Sequence, residues 1–302
     1  MVQVVHLGIR KTGTSTFQRT LQRAQDSGVN IIHGKKSLQK WGNNNPAKKP
    51  QDIDFSELEQ IFRSGQDRHA IFSYEGLATY DQFVLAGIIK KTLPDARILV
   101  SIRGPDSFLR SQYKHHMHNG GFKSAEQFAD QYCRGKLSHL LDVETLTKAY
   151  DSVGLSNQLT IIPYEWQRDN YDSYLEFMSA FCELDLRKHL PDYQVNKSPD
   201  LRFLELVRRF NQTLAAAAPE LLKQEEYGTL IRMASMSTAQ TPELNYIFEE
   251  YYDKLGIEFS PPKVPADLWP DFVAKLQPLR RLERFKPYLS EYGLEPMESD
   301  HV

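Results

Sequence analysis

The sequence predicts an α/β fold with a central, mainly parallel sheet of about five strands, flanked by helices and followed by a helical C-terminal part. Three observations carry this. Five short runs rich in β-branched residues end in turn or polar residues. Helix-period segments lie between most of them. A glycine-bearing polar loop, Lys11-Thr12-Gly13-Thr14-Ser15-Thr16, follows the first run and opens onto the first helical pattern. Strands alternating with helices form βα units and so a parallel sheet. Near-continuous apolar strands suit a sheet covered on both faces.

The runs are Val2–Leu7, Val29–His33, Ala70–Ser73, Arg97–Ile102 and Leu159–Ile162. Between them, residues 15–26 set Phe17, Leu21 and Ala24 on one helical face. Residues 82–93 do the same with Phe83, Ala86, Ile89 and Leu93. Residues 34–54, GKKSLQKWGNNNPAKKPQDID, are polar, with an Asn run and two prolines. They read as a solvated loop or, alternatively, as a loop that covers a ligand. Beyond residue 200 the strand signal fades. Leu201–Leu214 is an amphipathic helix by its spacing, SPPKVPADLWP is a proline-rich connector, and Leu279–Lys286 is a shorter helix bounded by Pro278 and Pro287. The expected organisation is a single domain over 1–302, with an α/β core over about 1–211 and a helical portion over about 212–302.

Composition narrows the function. A formal net charge of −2 gives no overall field that would draw nucleic acid or an anionic membrane. No apolar run reaches the ~18 residues of a membrane span, and the N-terminus lacks the pattern of a signal peptide. The two cysteines, Cys133 and Cys182, fit neither a disulfide framework nor a zinc pattern and read as reduced, partly buried thiols. The expected setting is a soluble, reducing compartment, the cytoplasm. Oligomeric state is not legible.

The first loop has the chemistry of an anion site. The opening amides of a helix have no intrahelical acceptor, and the helix dipole adds partial positive charge there. Gly13 permits close backbone approach, Thr14, Ser15 and Thr16 add hydroxyls, and Lys11 adds a full charge. Gly8 and Gly13 keep the glycine spacing of a nucleoside-triphosphate P-loop, but Thr14 stands where that loop carries its lysine. No strand ends in an Asp suited to magnesium. The alternative to an anion site is an ordinary capped helix start.

A second cluster follows the run Arg97–Ile102, which delivers Arg103 at its carboxyl end, where open α/β sheets place ligands. Gly104-Pro105 then starts a helix carrying Ser107 and Ser111 on one face. An arginine and a serine so placed can converge on a phosphate; a surface salt bridge is the plainer role for Arg103.

Together these motifs resemble the sulfotransferases that use 3′-phosphoadenylyl sulfate (PAPS), a family with a P-loop-like, three-layer fold. The loop at 11–16 resembles the family's 5′-phosphosulfate loop; Arg103 and Ser111, eight apart, resemble its 3′-phosphate motif. IFSYEGL (71–77), LTIIPYEWQRD (159–169) and VNKSPDLRFLELVRRFN (195–211) resemble further family segments, so the likeness covers about residues 2–211. It implies PAPS as co-substrate and adenosine 3′,5′-bisphosphate (PAP) as product, with no metal. It also implies cofactor contacts from Arg10, Lys11, Thr12, Gly13, Thr14, Ser15, Thr16, Arg103 and Ser111, and a catalytic cation at Lys11. The acceptor would be a hydroxyl, with the Glu75 pattern pointing to a sugar or polysaccharide; a small metabolite, a lipid-linked group or a tyrosine side chain is the alternative.

An attacking hydroxyl must lose a proton. Glu75, just past a strand at the ligand edge, is the favoured base. His115 and His116, one to two turns beyond Ser111, are rivals, and His115 with His118 could form a two-ligand metal site. Glu75 could instead be a capping or salt-bridged side chain. His6 and His33 read as structural. Lys197 and Ser198 could touch nucleotide or substrate, with Asn196 as a helix cap. Two further functional readings stand beside the transferase: a P-loop kinase or NTPase, and a non-catalytic PAPS- or PAP-binding protein.

Overall fold

The computed structural model describes residues 1–9, 12–44, 53–137, 141–191, 201–240, 250–254, 256 and 258–295. Two compact units emerge from the chain's contacts. The first comprises 1–104, 136–192 and 269–302, and the second 105–135 and 193–268.

The first unit holds the sheet. Its strands are β1 (Gln3–Gly8), β2 (Ile32–His33), β3 (Ala70–Ser73), β4 (Arg97–Ile102) and β5 (Leu159–Pro163). They run in the order β2-β3-β1-β4-β5, and every pairing is parallel. Each of the five predicted runs overlaps one of these strands, although only Ile32–His33 of the run Val29–His33 is paired. The helices are α1 (Thr14–Asp26), α2 (Lys35–Asn44), α3 (Ser56–Arg63) and α4 (Gln82–Thr92). The second unit holds α5 (Pro105–His118) and α6 (Ala125–Tyr132). Back in the first unit come α7 (Val143–Ser152), α8 (Tyr164–Asp169) and α9 (Tyr171–Cys182); α10 (Leu201–Ala217) and α11 (Glu225–Gln240) belong to the second unit, and α12 (Trp269–Leu276) to the first.

Residues alternate across the sheet. Val4, Ile71, Leu99 and Ile162 join Phe17, Leu21 and Ala24 of α1 and Tyr174, Leu175, Met178 and Cys182 of α9 in one core layer. On the other face α4 packs against α3 and α7. The α4 stripe differs from expectation at its start: Phe83 is 48% exposed, while Leu85, Ala86, Ile88 and Ile89 are buried. The helix begins at Gln82 under an Asp81 cap that accepts from the amides of Phe83 and Val84. Phe83 therefore lies in the first turn, off the face that meets the sheet.

The segment 34–54 corrects the sequence reading. It is not simply a solvated loop, because Lys35–Asn44 is a helix. Leu38 and Trp41, three apart on one face, are fully buried. Trp41 lies 4.7 Å from the Tyr80 ring, and its indole donates to the Asp54 carbonyl at 3.0 Å. Burial of one leucine and one tryptophan outweighs the low helix preference of the Asn residues beside them. Residues 45–52 lie outside the described residues.

The predicted helix 279–286 is also redrawn. Two 3-10 stretches, Gln277–Arg281 and Glu283–Tyr292, replace it, and Pro287 lies inside the second. A 3-10 run makes only short local bonds, so a proline without an N–H is accommodated there more readily than in a long α-helix.

In the second unit, Asn211 of α10 is fully buried and donates to the carbonyls of Met117 (3.0 Å) and Gly121 (2.6 Å), which fastens the end of α5. Both cysteines are free and buried. No described helix is long and apolar enough to cross a membrane.

His6 of β1 is 2% exposed, and its Nδ1 lies 2.9 Å from Ser73 Oγ. Burial lowers its pKa from 6.5 to about 4. The unfolded chain therefore takes up the proton first as pH falls, and stability drops between these values, by on the order of 3 kcal/mol in full. His6→Gln should flatten the fall in urea midpoint between pH 7.5 and 4.5; an unchanged slope would show that His6 is not buried as a neutral ring.

Candidate functional site

Right-handed crossovers fix which strand ends can hold a ligand. The chain leaves β1 towards β2 on one side, whereas it leaves β3 towards β4, and β4 towards β5, on the other. The connection after β1 thus departs from the opposite sheet face to those after both its neighbours. The carboxyl ends of β1, β3 and β4 border the crevice where open α/β sheets bind ligands.

The β1 end carries the predicted loop. Gly13 is the N-cap of α1 with φ +75°, in the left-handed region where a side chain is strained. No side chain caps the helix, and its first turn contains no acidic residue. By helix geometry the amides of Thr14 and Ser15 have no intrahelical acceptor, whereas that of Thr16 donates to the Gly13 carbonyl at 3.2 Å. The hydroxyls are divided. Thr12 Oγ1 donates to the Ile9 carbonyl at 2.6 Å and closes the turn. Thr14 Oγ1 donates to Glu75 Oε1. Ser15 and Thr16 are half-buried in the first turn. Arg10 and Lys11 lie outside the described residues.

The β3 end brings Glu75 to this turn. Glu75 opens a 3-10 helix, Glu75–Thr79, two residues after the strand. At the position where a triphosphate-binding loop carries lysine, this chain has a threonine bonded to that carboxylate. Beneath them Gln18 Nε2 donates to Ser73 Oγ at 3.2 Å and to the Ser73 carbonyl at 3.3 Å, which ties α1 to β3.

The β4 end carries Arg103. Its guanidinium lies 4.3 Å from the centroid of the Tyr164 ring at the start of α8. Burial lowers its pKa, and Tyr164 and Glu165 oppose that shift. The neighbouring Glu165 is fully buried; it accepts from the Gly104 amide at 3.1 Å and lies 2.6 Å from Tyr292 Oη. Burial is also the first cause of its raised pKa, with the Tyr292 and Gly104 bonds opposing.

The structure thus brings together Thr14 and Glu75, and sets the loop and Arg103 at the ends of adjacent strands. Ser111 is half-buried on α5 in the second unit, as is His116. His116 stacks on Phe128, with ring centroids 5.1 Å apart, and burial lowers its pKa. His115 is exposed and bonded to Asn119. Among the described residues, no three His, Cys, Asp or Glu side chains are grouped to hold a metal. Asn196, Lys197 and Ser198 lie outside the described residues. The sequence reading missed Gln167, whose amide sits where a Cβ on Gly13 would fall. Only its position four residues into the β5–α8 junction could have pointed to it.

The chain matches the family described as "Sulfotransferase domain" over residues 3–198. No curated protein matches it. Among solved structures it is similar to a sulfotransferase from Alicyclobacillus acidocaldarius, with 19% identity and a TM-score of 0.44, over 74% of this chain and 97% of that one. It is also similar to mouse sulfotransferase SULT7A1 complexed with PAP, with 16% identity and a TM-score of 0.39, over 85% of each chain.

The turn itself can be tested. Gly13→Ala should cost about 1–2 kcal/mol from the left-handed backbone alone, with a further loss from the Gln167 amide. Gln167→Ala added to Gly13→Ala should recover that further part but not the backbone part. Strict additivity of the two changes in urea unfolding would show that Gln167 does not abut the turn.

Proposed function

The chain belongs to the sulfotransferase domain family, and we propose that it transfers the sulfuryl group of PAPS to an acceptor hydroxyl. One observation carries this reading: an uncapped helix start at the sheet's carboxyl edge has a carboxylate, Glu75, bonded to its first residue, Thr14. An anion-binding turn and a proton acceptor then lie side by side, as the reaction needs.

The acceptor oxygen attacks sulfur in line, and the bond from sulfur to the bridging phosphate oxygen breaks. The products are the sulfate ester and PAP. The acceptor proton passes to Glu75, and the charge developing on the bridging oxygen is offset by Lys11 and by the amides of Gly13, Thr14 and Ser15. As in phosphoryl transfer, the protein's work is alignment and charge stabilisation. Arg10, Thr12 and Thr16 complete the 5′ side of the nucleotide, and Arg103 with Ser111 takes the 3′ phosphate. Thr12 contributes through its backbone and the closed turn, since its hydroxyl is used on Ile9.

The acceptor we propose is a hydroxyl of a sugar or polysaccharide, and the setting is the cytoplasm. Two free, buried cysteines suit a reducing compartment.

Incubation with ³⁵S-labelled PAPS and a panel of glycans should yield a labelled sugar ester. Lys11→Ala should lose most of the rate. No transfer to any acceptor, together with magnesium-dependent ATP hydrolysis, would overturn the reading. Glu75→Gln should lower kcat by about 100-fold or more, the usual size of a general-base contribution. His115→Ala and His116→Ala should retain most activity. The opposite pattern, full activity in Glu75→Gln and none in a histidine variant, would move the base to α5.

A further inference from the structure

The peptide units on both sides of Arg103 are held by two side chains that also contact each other. The Ile102 carbonyl accepts from Tyr292 Oη at 3.0 Å, and the Gly104 amide donates to Glu165 Oε1 at 3.1 Å. Glu165 Oε2 and Tyr292 Oη are 2.6 Å apart. Both side chains belong to fully buried residues. Gly104 allows the approach, because a Cβ there would stand 2.7 Å from the Glu291 carbonyl oxygen. The phenol has one proton and two oxygen neighbours. If it donates to Ile102, which can only accept, the short contact needs a proton on Glu165. Full burial of that carboxyl favours the neutral form.

Tyr292 lies beyond residues 3–198, the span that matches the family. It ends the 3-10 stretch Glu283–Tyr292, which is fastened along α8 and α9. Arg284 lies 4.4 Å from the Phe177 centroid and 5.3 Å from that of Trp166. Asn170 Nδ2 donates to Tyr288 Oη at 2.9 Å, and Arg168 pairs with Glu291 at 2.8 Å.

We infer that Tyr292 and Glu165 are positioning residues that fix the backbone of Arg103 and so aim its guanidinium at the ribose 3′-phosphate of the nucleotide. The inference rests on the proposed nucleotide reading. It assigns a task in donor recognition to a C-terminal segment outside the family-matched span. Two polar side chains converge on the residues flanking one arginine, which apolar packing alone would not require. Their effect is confined to ligands that carry a 3′ phosphate.

Calorimetric titration with PAP and with adenosine 5′-phosphate, which lacks the 3′ phosphate, tests this. Wild-type protein should prefer PAP. Tyr292→Phe should weaken PAP by about 5- to 10-fold, the worth of one or two hydrogen bonds, and leave adenosine 5′-phosphate within 2-fold. Glu165→Ala should behave like Tyr292→Phe. Glu165→Gln should keep PAP affinity, because its amide accepts from Gly104 and donates to Tyr292 as a protonated carboxyl does. Folding of each variant is checked by circular dichroism. Unchanged PAP affinity in Tyr292→Phe, or equal losses for both nucleotides, overturns the inference while the nucleotide reading stands. Should Tyr292→Phe not fold, loss of PAP selectivity in a folded Glu165→Gln overturns it. Wild-type protein that binds neither nucleotide overturns both.

Discussion

The uncapped start of α1 is the constraint on which the site depends. A helix must leave its first amides without intrahelical partners, and most proteins supply a side chain to satisfy them. Here Gly13 takes the cap position in a left-handed conformation and offers no side chain. Thr12 and Thr14, which could have reached those amides, are committed to Ile9 and Glu75. The turn is held in shape from outside, and the start of α1 is left without a side-chain cap.

Two buried titratable groups lie near this arrangement. His6 lies under the turn with a pKa near 4, and Glu165 lies behind Arg103 with its pKa raised. Burial acts in the direction of neutrality in both cases, although one group is a base and the other an acid.

Particular residues show what the sequence reveals. The five strands were legible because each lies in a short run rich in β-branched residues that ends in turn or polar residues. The turn from β1 into α1 was legible because glycine, threonine and serine after a strand suit a helix start. Helix α2 was not, because only Leu38 and Trp41 mark it among Asn, Lys and Gly, and the aromatic contact with Tyr80 that orders it comes from a residue far along the chain. Phe83 was assigned to the wrong face because helical periodicity gives a stripe but not where the helix begins.

The sequence by itself determined the strand set, the alternation that makes the sheet parallel, and the identity of the residues at the ends of β1, β3 and β4. These follow from local pattern, since side-chain period and turn chemistry act over a few residues. Tertiary structure alone decided which side chains meet: Thr14 with Glu75, Gln167 at Gly13, and Tyr292 with Glu165 across 127 positions. Such contacts depend on strand order and crossover direction, which sum over the whole chain, and no window of sequence contains that sum.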